Sequence, residues 1–483
     1  MANQNKSTSA ISLSIGWAFL VCLLIRLFYL IEFGDKFTAF GYEHGNALQA
    51  LALLQGRGLE THDEYYIQTD KIQAKRTPLL LQPKDYPPRP QDNLGYYHAL
   101  DMPGYPWILA GVWWLLGPQT FWPIKIIQAI LSALLIFPLC DIGRKLFNQQ
   151  TAEWCAWLYA FWLPNAYLAQ MVCKEAWEGL LIIPACWLLL RYFMRGEKLS
   201  LLMCMITFAL SVFMRTNLLL LPFALCILGM LIFSIRRCLT AFVLTGLFLL
   251  ICLFPWILRN KHWVDPHIGI KEGFYWALSW NLSNADPVFK KKILKYEGMR
   301  QNSDGTPRKL SREPLEIPPL VKQTLMERPV LFFALAFKQM ILGPWQNLEW
   351  GYEILFPKAS SYTVFHSITG ESRLHYLLKY PYAVSCKIIM RIFEIAVVAL
   401  SLATLWFWRD RWQICLWIAT CYWLFLFTYA FIHIESRYTV PHTWALIILA
   451  ASCLECILKK CRSLWATQKL IPFTQTHLPI KRV

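Results

Sequence analysis

Long apolar runs recur along the whole chain, at about 11–33, 123–140, 152–170, 176–190, 199–214, 217–233, 240–258, 385–408, 413–432 and 439–458. Runs of this kind are what a helix needs to cross the hydrocarbon of a bilayer, where every backbone polar group must be satisfied internally. The pattern predicts an all-α polytopic membrane protein, a bundle of about ten transmembrane helices. Two polar regions interrupt it, a first loop at 34–122 and a second at 259–384. Residues 1–458 read as a single membrane domain, and 459–483 as a basic tail. Three shorter elements lie in or beside the loops. Residues 44–54 follow the first span and predict an amphipathic helix along the interface. The segment at 105–116, YPWILAGVWWLL, and that at 330–341, interrupted by Lys338, are short for spans and predict surface or re-entrant helices.

The signs of the connecting turns orient the bundle. With the N-terminus in the cytoplasm and the short helices not spanning, Arg144/Lys145, Arg191/Arg195/Lys198, Arg236/Arg237, Arg409/Arg411 and the tail all fall on the cytoplasmic side. Both long loops, and the short segments around Lys174 and Glu435, then share the outer face. The expectation is an integral multi-pass protein of a bacterial inner membrane, with both termini cytoplasmic and its chemistry on the periplasmic side. The first apolar run is longer than the core of a signal peptide and no small-residue cleavage site follows it, so it is kept as a span.

Composition changes this picture little. Of 483 residues, 56% are hydrophobic and only 16% charged, against about 25% charged in soluble proteins. The net charge of +17 would suggest nucleic acid in a soluble chain; here the basic turns account for it, and no nucleic-acid partner is expected. The 15 cysteines lie mostly in apolar runs and not in the long polar loops, which argues against a disulfide framework. Cys453, Cys456 and Cys461 read as small apolar helix residues rather than metal ligands.

Candidate chemistry gathers on the outer face. Its carboxylates are Asp35, Glu43, Asp101, Glu175, Glu178 and Glu435. Glu43 stands out because it opens the helical segment just after a span, where an acid is expensive and tends to be functional. A carboxylate within reach of a reacting hydroxyl serves as a general base. One base suffices for direct, inverting displacement at a sugar carbon. The outer-face cations are Lys174, Arg215, Arg259, Lys387, Arg391 and Arg437. At the depth of a lipid phosphate such groups grip it, or simply snorkel to the interface. Glu394, three residues after Arg391, predicts a local ion pair on one helix face. His44, His433 and His442 are isolated, and no metal-ligand spacing appears, although two distant carboxylates could hold a divalent metal. The aromatics of 274–280 and 345–352 read as belt residues or as platforms for sugar rings.

The ordered set of motifs resembles the bacterial polytopic glycosyltransferases of the GT-C class, in particular the branch similar to protein O-mannosyltransferases and the lipid A aminoarabinose transferase. FGYEHGNALQALALLQGRG looks like that family's first-loop segment, and MPGYPWILAGVWWLLG like the helix that follows. FPWILRN resembles its Pro-Trp-x-x-Arg-Asn element and HIESRYTVP its late His-x-Glu-x-Arg-Tyr-x-x-Pro element. The resemblance implies a polyprenyl-phosphate sugar donor entering from the membrane, an unspecified acceptor, an acidic first-loop base and basic residues on the leaving phosphate. Carried onto this chain, the base is Glu43, and Arg259 and Arg437 occupy the matching basic positions. Many members carry an Asp-Glu pair where Tyr42 precedes Glu43 here, so Asp35 and Asp101 remain alternative bases. Met102 stands where the aminoarabinose branch has Lys, which argues against that substrate. The competing expectation is a transporter or a non-catalytic protein that binds a lipid-linked sugar. A transporter would carry inverted repeats and mid-membrane charges, and neither stands out.

Overall fold

The computed structural model describes residues 12–33, 42–56, 58–59, 61–62, 96–97, 102–117, 121–263, 270, 317–342, 381–430 and 436–469. Both long polar loops lie largely outside this set, with Asp35, Asp101 and the aromatic stretches at 274–280 and 345–352. The described chain is helical apart from one two-residue antiparallel pair, Thr61 opposite Tyr97 and His62 opposite Tyr96.

Seven helical stretches among the described residues are long and apolar enough to cross a bilayer. They comprise α1 (Leu13–Phe33), the pair α4 (Trp122–Leu134) and α5 (Ile136–Leu146), α8 (Lys174–Arg195), α11 (Ile235–Trp263), α14 (Pro381–Phe407), α15 (Trp412–Ala430) and α17 (Thr443–Lys469). The other three expected spans are shorter or broken, and prolines account for two of them. The expected span at 152–170 divides into α6 (Gln149–Ala160) and α7 (Leu163–Leu168). Pro164 would clash with the carbonyl of Ala160, four residues back, and α6 ends there. The span at 217–233 opens as a 3-10 turn, Thr216–Leu220, before α10 (Leu221–Gly229). Pro222 has the same effect on Leu218. The span at 199–214 is α9 (Lys198–Met214), of 17 residues.

The short elements are helices too. They are α2 (Tyr42–Leu54), α3 (Gly104–Leu116), α12 (Ile317–Glu327) and α13 (Pro329–Leu342). At 13 and 14 residues, α3 and α13 reach about 20 Å, too short to span. The expectation that α2 lies along the interface is incomplete. It buries Ala47, Ala50 and Leu51, at helical spacing, in a satellite core with Tyr105, Leu109 and Trp113 of α3. Its small residues seat it against a neighbouring helix rather than leave its apolar face to lipid.

In spans that are apolar all round, hydrophobicity does not choose the buried face. Small and polar residues do. In α1, Ile15, Ala18, Cys22, Arg26 and Tyr29 face the bundle, while Leu13, Trp17, Leu20, Leu24, Phe28 and Ile31 are exposed. Arg26 is fully buried: Nε donates to Ser132 Oγ at 2.8 Å, and its guanidinium lies 5.1 Å from the Tyr159 ring. The turns carrying the basic residues meet at one end. Arg237 Nη1 donates to Phe193 O and Met194 O, both at 2.9 Å, closing the end of α8, and Phe147 packs on Trp408 at 4.9 Å.

At the other end Gln128 of α4 joins four segments. Its Nε2 donates to Ala169 O and Met171 O at 2.9 Å each, and its Oε1 accepts from Tyr105 Oη at 3.1 Å and Trp177 Nε1 at 3.0 Å. The residue is 1% exposed, so replacement strands these partners away from water. Gln128→Leu is expected to destabilise the protein by about 3 kcal/mol, read as an early thermal transition in detergent. An unchanged midpoint would mean that the 169–173 turn is held by something else.

Candidate active site

The turn that Gln128 fixes leads directly into α8, whose first residues are Lys174 and Glu175. Glu178 follows one turn later, so both acids share a face of the helix. That face meets Arg215, which ends α9. Arg215 Nη2 lies 2.5 Å from Glu175 Oε1, and Nη1 lies 3.5 Å from Glu178 Oε2. His442, from the 3-10 turn Val440–His442 that precedes α17, places Nε2 3.1 Å from Glu178 Oε1. A carboxylate only accepts, so Nε2–H is the donor in that bond. Phe425 of α15 stacks on the imidazole with ring centres 3.6 Å apart. Arg215 also lies over Tyr438, 4.1 Å from the ring centre, and over Tyr429 at 5.0 Å. Tyr438 belongs to α16 (Ser436–Thr439).

The network is closed to solvent: the side chains of Arg215, Glu175, Glu178 and His442 are 6%, 2%, 0% and 0% exposed. Its charges are affordable there because each carboxylate has a cationic or N–H partner. The N-terminal end of α8 adds its positive dipole to the same two acids. Each of its four side chains is turned away from solvent and toward the others. Together they fix the chain on either side of the network.

Two of the predicted site residues are sequence neighbours of this network. Lys174 adjoins Glu175, and Arg437 adjoins Tyr438, both partners of Arg215. Glu43 lies in the first turn of α2, and Asn46, one turn later, donates its Nδ2 to Val172 O at 3.1 Å. Only Cys173 lies between Val172 and Lys174. The side chains of Glu43 and Arg437 lie outside the described residues, as do Asp35 and Asp101 altogether.

Arg259 occupies the end of α11. It is half-buried, its guanidinium 4.8 Å from the Trp256 ring and its Nη1 donating to Asn260 Oδ1 at 2.9 Å. The conspicuous Trp and Asn of FPWILRN have a different task. Trp256 Nε1 and Asn260 Nδ2 both donate to Ile270 O, at 2.7 and 3.1 Å, and so hold the chain as it returns from the helix. Trp107 of α3 connects this end to the network: it packs on Trp256 at 6.3 Å and on Phe213 at 5.5 Å, two residues before Arg215. Gly104 permits that approach, because a Cβ there would lie 2.7 Å from Phe213 O. Arg391 is carried by α14 instead, half-buried, two residues from Phe393, which packs on Trp162 at 6.0 Å. The local pair expected of Arg391 with Glu394 is not closed by a hydrogen bond, since both carboxylate oxygens of the buried Glu394 lack one.

Sequence reasoning treated Glu175, Glu178 and Arg215 singly and His442 as isolated. The available signal was the spacing of two acids three apart at the start of a span. Among the described residues no group of three His, Cys, Asp or Glu side chains converges as a metal site.

The family model of dolichyl-phosphate-mannose-protein mannosyltransferase matches residues 98–258, a stretch that contains Lys174, Glu175, Glu178 and Arg215. No curated protein sequence matches the chain significantly. Among solved structures, the oligosaccharyltransferase AglB from Archaeoglobus fulgidus, in complex with an inhibitory peptide and a dolichol-phosphate, is 13% identical with a TM-score of 0.47, covering 94% of this chain and 52% of its own. ArnT from Cupriavidus metallidurans, bound to undecaprenyl phosphate, is 11% identical with a TM-score of 0.39, covering 95% and 81%. The chain thus spans about half the length of the oligosaccharyltransferase it matches, 52%. Over residues 98–258 the chain is similar to the dolichyl-phosphate-mannose-protein mannosyltransferase family.

Proposed function

We propose that the chain is a membrane-embedded glycosyltransferase, moving a sugar from a polyprenyl-phosphate donor to a lipid, glycan or protein acceptor on the outer face, with inversion. The observation that supports this best is the Arg215 network. It ties down the neighbours of Lys174 and Arg437, and Asn46 ties the helix that begins near Glu43 to the same turn. The segments that carry Glu43, Lys174 and Arg437 are thereby tied to one another, which supports assigning all three to one site. The match of 98–258 to the mannosyltransferase model supports the same reading.

In the proposed step Glu43 takes the proton from an acceptor hydroxyl, and the hydroxyl oxygen attacks the anomeric carbon. The bond from that carbon to the phosphate oxygen breaks with its electron pair, and polyprenyl phosphate leaves. Arg259, Arg437 and Lys174 stabilise the charge that develops on the phosphate. Arg215, Glu175, Glu178 and His442 are positioning residues. We assign Arg391 no part in the step.

The test is to incubate protein in lipid with radiolabelled undecaprenyl-phosphate sugars, both with and without candidate acceptor fractions. Loss of label from the lipid, dependent on protein and acceptor, is expected for one donor. Uptake of solute by reconstituted vesicles without any sugar transfer would overturn the reading in favour of a transporter.

A further inference from the structure

A cavity of about 770 Å³ opens along α8 on the side of α4 and α5, within the range of about 300–1,000 Å³ typical of small-ligand sites. It runs from Trp177 near the start of α8 to Arg195 at its end, a rise of about 27 Å. That is close to the thickness of one bilayer core, ~30 Å. Its wall is apolar over most of this length: Leu131, Leu134, Phe137, Leu180, Leu181 and Pro184. Its far rim, at the end of α8 opposite Lys174, is cationic, with Arg144, Lys145, Arg191 and Arg195 against one lining carboxylate, Asp141.

The partners at the rim do not use up this charge. Asp141 is shared by Arg144 and Lys145, each at 2.5 Å, and accepts from Trp187 Nε1 at 2.7 Å. Glu197 is shared by Arg191 at 2.7 Å and Arg195 at 3.2 Å. The Ser200 hydroxyl, with these two guanidinium groups, holds Glu197 below the usual carboxylate range, so it stays ionised at neutral pH. Four cations against two carboxylates leave two positive charges on this rim. The Nε of Arg191 is buried and meets no acceptor, while its guanidinium stacks 4.9 Å from the Trp187 ring. An apolar slot one leaflet or more deep, ending in surplus guanidinium groups, matches an acyl chain joined to a phosphate.

We propose that this cavity is a binding site for an anionic diacyl phospholipid, its phosphate on Arg191 and Arg195 and a chain along Leu181 and Leu131. The site is separate from the proposed donor site. A polyprenyl phosphate serving the residues around Lys174 would carry its phosphate at the other end of α8 and leave this rim unanswered.

The experiment is native mass spectrometry of the full chain taken from nanodiscs of phosphatidylglycerol and phosphatidylcholine, followed by graded detergent washing. One phosphatidylglycerol is expected to survive washing that removes phosphatidylcholine. Arg191→Gln/Arg195→Gln is expected to lower its retention at least tenfold. Leu181→Trp, which fills the slot and leaves every charge in place, should do the same and decides the matter if the arginine variant fails to fold. Equal retention of the two lipids, or unchanged retention in Leu181→Trp, overturns the proposal. So does displacement of phosphatidylglycerol by inorganic phosphate alone, which would mean a headgroup site without a chain, or by stoichiometric undecaprenyl phosphate, which would assign the slot to the donor.

Discussion

Arg215→Met removes the guanidinium shared by the buried carboxylates of Glu175 and Glu178, and leaves the His442 contact to Glu178 in place. Breaking a buried ion pair by removing one partner costs about 3–5 kcal/mol, because the orphaned charge stays out of water. The expected result is a large fall in folded yield and in thermal midpoint after detergent extraction. The cost comes from stranded charge, so it is repairable. In the background Glu175→Gln/Glu178→Gln, the same Arg215→Met change should cost far less, since amides carry no charge to neutralise. The coupling between the two sets of substitutions, measured as a double-mutant cycle, should therefore be about 2 kcal/mol or more. The repaired variant is expected to fold and still transfer sugar poorly, because Tyr438, next to Arg437, then loses the guanidinium stacked on its ring. Equal losses in both backgrounds would show Arg215 to act by packing alone.

Glu43→Gln is expected to reduce transfer by about 10²–10⁴-fold, the usual contribution of a positioned general base, while the protein inserts and folds as before. Gln keeps the size of the side chain, and the seat of α2 is carried by Ala47, Ala50, Leu51 and the Asn46 bond to Val172 O, none of which the substitution touches. Donor binding should survive, since its phosphate is assigned to cations on other elements; the loss belongs in kcat rather than in KM. Full activity in Glu43→Gln, with loss in Asp35→Asn or Asp101→Asn, would move the base to one of those residues and leave the rest of the site in place.

The membrane class was legible in the sequence because each run of lipid-facing residues is long and local, and so was the grouping of the basic turns, which needs only their sign. The helix breaks at Ala160 and before Leu221 were hidden because hydropathy averaged over a span-length window absorbs a single Pro164 or Pro222 among apolar neighbours. The network was hidden for another reason. Arg215 and Glu175 are 40 residues apart, and Glu178 and His442 are 264 apart. Nothing in one sequence pairs such residues, and each alone looks like a loop charge or a stray histidine. Gln128 gave still less warning, since an amide in an apolar helix has no preferred partner until the turn at 169–171 is folded beside it. In FPWILRN the sequence pointed to Arg259 alone, and the bonds that Trp256 and Asn260 make to Ile270 O had no signal in it.

The same separation sets an order of events during biosynthesis. Arg215 leaves the ribosome soon after Glu175, so their pair can close while the chain is still being inserted. Glu178 must wait for His442, 264 residues on, roughly 10–50 s at ordinary rates of synthesis. Through that interval the growing bundle carries a carboxylate beneath its outer surface that lacks its final hydrogen bond, and a polar cleft where α17 will dock. Chains that stall before α17 should be marked by that cleft, open to chaperones and membrane proteases, while finished chains close it. Docking of α17 thus acts as the seal on this part of the assembly, and a nascent-chain protease-protection series across residues 430–460 should register the moment it shuts.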